Sequence, residues 1–168
     1  CKEEEFPAEI KVVFSNNENA VGLNIAKEND LKIITLDSSN FKNTEEYEER
    51  IIELLIPYDL KLICLAGYMK ILSKKFLRDF GKRVINIHPS LLPKFKGLNT
   101  FSRMLKNNEI KAGCTVHYVN EKLDGGKNII QKLFFISVND NEKTLEKKTQ
   151  KLEHKAFPEG IIKIFRNS

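Results

Sequence analysis

The sequence predicts an α/β fold: a doubly wound, mostly parallel sheet with antiparallel strands toward the C-terminal part. Three observations predict it. Apolar, β-branched runs alternate with helical spacings from Ile10 to His88, which is the pattern of a parallel sheet with right-handed crossovers. Leu60 to Ala66 is an almost uninterrupted apolar run ending at Gly67, as in a strand buried on both faces. After Gly113 two β-rich runs follow one another with no helical spacing between them.

Taken in order, Ile10 to Phe14 is a short strand run that stops at the turn cluster Ser15-Asn16-Asn17. Ala20 to Asn29 has helical composition, and Leu31 to Leu36 returns to strand character. Asn43-Thr-Glu-Glu46 resembles a capping box, after which Tyr47, Ile51, Leu54 and Leu55 recur at helical spacing. Ser73 is placed to cap a short helix carrying Phe76, Leu77 and Phe80. Arg83 to His88 is the next strand, and Phe101 to Asn107 the next helix. Gly113 to Val119 and Asn128 to Val138 are the two β runs. The loop between them exceeds a tight hairpin, which implies that something is built into it. Leu145 to Phe165 is helical, with an interruption expected near Pro158 and Gly160.

At 168 residues the chain is read as a single domain, residues 1–168, long enough for a substantial core. Hydrophobic residues make up 41% and charged residues 30%, which argues against disorder. There is no apolar run of membrane-spanning length, and no membrane association is expected. Cys1, Cys64 and Cys114 fit neither a disulfide framework nor CxxC metal spacing and indicate a reducing, cytoplasmic setting. The formal charge of +5 invites a nucleic-acid reading. However, the lysines are interleaved with acidic residues and no arginine-rich run with aromatics occurs, so no nucleic-acid partner is expected. Attraction of an anionic small molecule accounts for the charge equally well.

The most informative run is Asn86-Ile-His88-Pro-Ser-Leu-Leu-Pro-Lys94, followed downstream by Asp124-Gly-Gly126. Strand alternation sends Asn86 and His88 to the same face, and Pro89 ends the strand there. Strand ends are where open α/β sheets keep their sites. An amide donor, an imidazole and a carboxylate together can stabilise an oxyanion and move a proton. Thr115 and His117 share one face of the following strand run and are expected to support that site.

These residues lie within a wider set: Val13-Phe-Ser-Asn16, Leu65-Ala-Gly-Tyr-Met-Lys-Ile-Leu72, Asn86 through Phe95, Val116-His-Tyr-Val119, Leu123-Asp-Gly-Gly126, and Gln150 through Glu153-His154 to Pro158. In that order and spacing the chain resembles the phosphoribosylglycinamide formyltransferases. The resemblance implies 10-formyltetrahydrofolate as formyl donor, glycinamide ribonucleotide as acceptor, no metal, and a monomer or homodimer. It assigns catalysis to Asn86, His88 and Asp124. Asn86 would donate to the formyl oxygen, His88 would do so as an imidazolium or act as general acid, and Asp124 would order the imidazole or a water and help move the proton. Folate contacts would come from Leu65, Met69, Lys70, Ile71 and Leu72 and from Val119, Asn120 and Glu121. Ribonucleotide contacts would come from Gly67, Pro89 and Glu153. Leu92-Pro93 is expected to be a cis peptide, also by resemblance.

The resemblance also marks departures. The family begins with a strand and a Gly-Ser-Asn loop that holds the substrate phosphate at a helix N-terminus. The sequence from Cys1 matches the end of the helix that follows, so a first strand and phosphate loop are expected to be missing. Lys96 replaces the usual proline, Thr44 stands where relatives can carry a basic residue, and Asn99 and Phe101 occupy positions often held by histidine. Competing readings are a formyltetrahydrofolate hydrolase, a methionyl-tRNA formyltransferase-like domain, a folate-binding fragment without activity, and a metal hydrolase built on His88, His117 and Asp124.

Overall fold

The computed structural model describes residues 6–68, 70–80 and 84–166. Cys1, Met69 and Arg83 therefore lie outside the described residues. Among the described residues six strands and five α-helices follow one another as β1 (Val13–Ser15), α1 (Gly22–Glu28), β2 (Ile33–Thr35), α2 (Thr44–Leu55), β3 (Ile63–Leu65), α3 (Lys74–Phe80), β4 (Val84–His88), α4 (Thr100–Lys106), β5 (Lys111–Tyr118), β6 (Asn128–Phe135) and α5 (Glu142–Arg166). This is the α/β order expected from the sequence, with parallel pairing first and antiparallel pairing after β4.

The strands form two sheets rather than one. β1 pairs with β2 in parallel, and a separate sheet has the order β3-β4-β5-β6. Within it β3 and β4 are parallel, while β4–β5 and β5–β6 are antiparallel. The two sheets share a core. Phe14 from the first with its flanking Val12 and Leu36, and Ile63 and Leu65 from the second, pack against buried Tyr47, Ile51, Ile52, Leu55, Phe76 and Phe80. A second cluster joins Ile85, Cys114, Val116 and Ile129 of the sheet to Ala156 of α5.

Local signals explain the helix starts. The Asn43 side chain accepts the Glu46 N–H at 2.8 Å, and the Glu46 carboxylate accepts the Lys42 N–H at 3.1 Å. The capping box is thus reciprocal, with its return bond one residue before the cap. The Ser73 hydroxyl accepts the Phe76 N–H at 3.1 Å at the head of α3.

Two expectations are corrected. β3 is not buried on both faces, since Cys64 is exposed while Ile63 and Leu65 are half-buried. Among the described residues β3 pairs only with β4. α5 is not interrupted either: it runs for 25 residues through Pro158. Packing overrides the lost N–H there. Gly160 is buried, and a Cβ on it would lie 3.1 Å from Val116 Cγ1, so the helix is seated closely on β5 at that point.

Candidate active site

The β4–β5 register sets Asn86 opposite His117 and His88 opposite Thr115. Directly opposed residues share a sheet face, so all four point the same way. Asp124 comes from the loop between β5 and β6, where it takes a left-handed φ of 44°, a conformation aspartate tolerates better than most residues. Gly126 makes this turn possible, because a Cβ there would meet the Tyr118 carbonyl oxygen at 1.7 Å.

These groups converge. His88 Nδ1 lies 3.3 Å from Asp124 Oδ2, with both side chains under a tenth exposed. Asp124 Oδ2 also accepts the Gly97 N–H at 2.8 Å. His88 Nε2 lies 2.9 Å from the Phe95 carbonyl, so both ring nitrogens face acceptors. Asn86 Nδ2 lies 3.5 Å from His117 Nε2, and His117 Nε2 stands 3.6 Å from Asp124 Oδ1. The amide, two imidazoles and the carboxylate form one connected group.

His117 is the electrostatically distinctive member. Burial first of all pulls its pKa below the usual imidazole value, because a charged ring is poorly solvated there. The Tyr118 carbonyl and the Asp124 charge oppose this, and His88 and Lys96 add to it. Its Nδ1 lies 2.8 Å from the Tyr118 carbonyl, which fixes the proton on Nδ1 and leaves Nε2 as an acceptor for Asn86.

Thr115 is fully buried and fastens the segment after His88 to β5. Its hydroxyl donates to the Ser90 carbonyl at 2.6 Å and accepts the Leu92 N–H at 3.1 Å. Gln131 adds a bond to the same hydroxyl at 2.8 Å and one to the Leu92 carbonyl at 2.9 Å. Leu92-Pro93 is cis, and Phe95, Gly97 and Asn99 all have positive φ. An open cavity of about 440 Å³ lined by Leu92, Pro93, Lys96 and residues 124–128 adjoins Asp124.

With this geometry in place, the comparisons decide the family. The formyl transferase family matches residues 1–161. The phosphoribosylglycinamide formyltransferase of Haemophilus influenzae is 39% identical over 165 residues, covering 98% of this chain and 77% of that protein. The chain belongs to the phosphoribosylglycinamide formyltransferase family. The crystal structure of the Brucella melitensis phosphoribosylglycinamide formyltransferase superposes with a TM-score of 0.91 at 37% identity, covering 97% of this chain and 83% of that one. The trifunctional purine biosynthetic protein adenosine-3 of Drosophila pseudoobscura pseudoobscura is 40% identical over 154 residues, which is 92% of this chain and 11% of that protein.

The remaining residues singled out in this formyltransferase lie at several places around the group. Leu65 ends β3 and pairs with Asn86, so the segment 67–72 leaves the sheet beside it. Gly67 has a φ of 69° with open space where a Cβ would be. Lys70 lies over the Tyr47 ring at 5.5 Å, Ile71 is exposed, and Leu72 is buried in the core. Val119 packs on the same core, Asn120 bonds Lys122 and Gly125 across its own loop, and Glu121 reaches Lys74 at 3.6 Å. Pro89 directly follows His88 and is half-buried. Glu153 stands apart from this group: on α5, it acts on the Cys114 thiol, on the opposite face of β5 from His117. Sequence reasoning missed the Phe95 carbonyl and the Gly97 N–H. Both are backbone groups and leave no side-chain signal. Among the described residues no three His, Cys, Asp or Glu side chains are grouped to hold a metal ion, and no helix is long and apolar enough to cross a membrane.

Proposed function

We propose that the chain transfers the formyl group of 10-formyltetrahydrofolate to the amine of glycinamide ribonucleotide, in the purine biosynthesis named for its relatives, with Asn86, His88 and Asp124 as catalytic residues. The observation that carries this is the connected placement of one amide, two imidazoles and one carboxylate at the end of β4, on β5 beside it and in the 119–126 loop.

The amine attacks the formyl carbon, a C–N bond forms, and the carbonyl oxygen becomes anionic while the attacking nitrogen becomes cationic. Asn86 has two amide hydrogens; His117 takes one and the other is free for the oxygen. His88 donates to the same oxygen once its Nε2 leaves the Phe95 carbonyl, with Asp124 steadying the ring through Nδ1. Asp124 Oδ1, with His117 Nε2 3.6 Å away, accepts the proton from the attacking nitrogen, directly or through water. Returning that proton to the departing folate nitrogen breaks the second C–N bond and yields formylated product and tetrahydrofolate. The segments 65–72 and 119–121 supply folate contacts, while Gly67 and Pro89, beside Asn86 and His88, contact the ribonucleotide.

Steady-state kinetics with both substrates test the proposal. Asn86→Ala should lower kcat by about 100-fold or more, the usual cost of an oxyanion donor, and Asp124→Asn should do likewise with both KM values little changed. Formate release by the wild type without any amine acceptor would replace this reading with hydrolysis.

A further inference from the structure

We propose that Glu48 is a positioning residue for the folate site, holding from α2 the segment 67–72 that the proposed function assigns to the folate ring. The inference rests on that reading of function. Glu48 is 1% exposed and lies on a helix face otherwise given to Tyr47, Ile51, Ile52 and Leu55. A carboxylate in such surroundings is costly to bury unless it is hydrogen-bonded, and an apolar side chain would pack there without that cost. Its partners therefore explain its presence.

Both carboxylate oxygens approach one backbone group, the Ser73 N–H, at 3.0 and 3.3 Å. Ser73 immediately follows Leu72, and its own hydroxyl starts α3 by accepting from Phe76. One end of the segment is thereby fixed to α2. Tyr68 stands at the other end. Its hydroxyl is buried, and burial, then the Glu48 charge, push its phenol pKa well up. Glu48 thus faces both flanks. The adjacent Tyr47 ring holds the Lys70 ammonium at 5.5 Å, so two consecutive residues of α2 grip the same stretch of chain.

Between those flanks the described residues of the segment have no regular secondary structure, and among the described residues they make no backbone hydrogen bond of their own. Its conformation rests on its anchors. Loosening the Ser73 anchor lets the backbone offered to a flat heteroaromatic ring sample other arrangements, which weakens binding in proportion to the loss of the competent one. The amide, the imidazoles and Asp124 lie on other elements and are untouched.

The test is a comparison of wild type, Glu48→Met, Glu48→Gln and Ile51→Val, each verified as folded by circular dichroism, with KM measured separately for 10-formyltetrahydrofolate and glycinamide ribonucleotide. Glu48→Met leaves the Ser73 N–H unpaired and should raise the folate KM about tenfold, with kcat and the ribonucleotide KM held within about twofold. Glu48→Gln keeps an acceptor and should recover most of this, leaving a rise of about threefold. Ile51→Val, which trims the same core without touching the anchor, should move neither KM. A purely structural role would move both KM values together or neither. Either result in folded Glu48→Met overturns the inference, and if that variant does not fold, an unmoved folate KM in Glu48→Gln does so. Absence of turnover in the wild type would instead overturn the proposed function, and this inference with it.

Discussion

Asn86 has two amide hydrogens to place, and His117 determines where one of them goes. Because the Tyr118 carbonyl binds Nδ1, the neutral ring presents a lone pair at Nε2, and Asn86 is the nearest donor to it. Protonation would convert that acceptor into a donor and release the amide. Burial keeps the His117 pKa below its ordinary value near 6.5, so the sign is definite. The neutral form, and any stability it contributes, is fully present above the unfolded imidazole value and is lost as pH falls from there through the lower folded value. His117→Leu should lower kcat by about tenfold, the worth of one hydrogen bond, with both KM values kept. Nitrogen NMR of the wild type at pH 7 should show a neutral ring protonated on Nδ1; an imidazolium signal would refute the assignment. Asn86 and His88 were legible in the sequence because strand alternation fixes faces by counting. The Phe95 carbonyl and Gly97 N–H were not, since a left-handed backbone conformation three to five residues beyond the cluster Ser90-Leu-Leu92 brings them in.

α5 shows how an element's boundary can hide from apolar spacing. Periodicity places its start at Leu145, whereas the helix begins at Glu142. The start is polar. The Asn141 side chain accepts the Thr144 N–H at 3.1 Å, and the Thr144 hydroxyl accepts the Asn141 N–H at 2.8 Å. Asp140 braces this cap by accepting from the Ser137 N–H and from the Lys148 ammonium at 2.6 Å. Those bonds, the Lys148 bond foremost, pull the Asp140 pKa down to about 2. A depressed carboxylate stabilises the fold above its unfolded value, near 3.9, and loses that stabilisation as pH falls toward the folded value. Asp140→Asn should therefore lower Tm by roughly 3 °C at pH 7, and the gap to wild type should close between about pH 4 and pH 2. A gap that persists in acid would show that the cap, and not the charge, carries the effect. The opposite lesson comes from Pro158, whose local signal for a break was clear and was overruled by the seating of Ala156 and Gly160 against Val116.

For the whole molecule, the order of strands and helices was readable from alternation alone, but the division into two sheets was not. Pairing partners depend on which edges meet, and the apolar run of β3 looks the same at an edge as at a centre. What joins the sheets is the apolar face of α2. Ile51 is 4% exposed in a cluster that receives Phe14 from one sheet, with Val12 and Leu36 flanking its strands, and Ile63 and Leu65 from the other. Among the described residues no strand pairing links the two sheets, and burial against α2 is what they share. Ile51→Ala removes three carbons from that junction and should cost roughly 2–5 kcal/mol, the range for large-to-small changes in packed cores. If α2 is the common support, the loss acts on both sheets together. Hydrogen exchange should then accelerate in β1 and β2 to the same extent as in β3 and β4, and thermal unfolding should remain one transition in near- and far-ultraviolet circular dichroism. Faster exchange confined to residues 13–35, or a separate early transition, would show instead that the first sheet unfolds as its own unit and that α2 belongs energetically to the second.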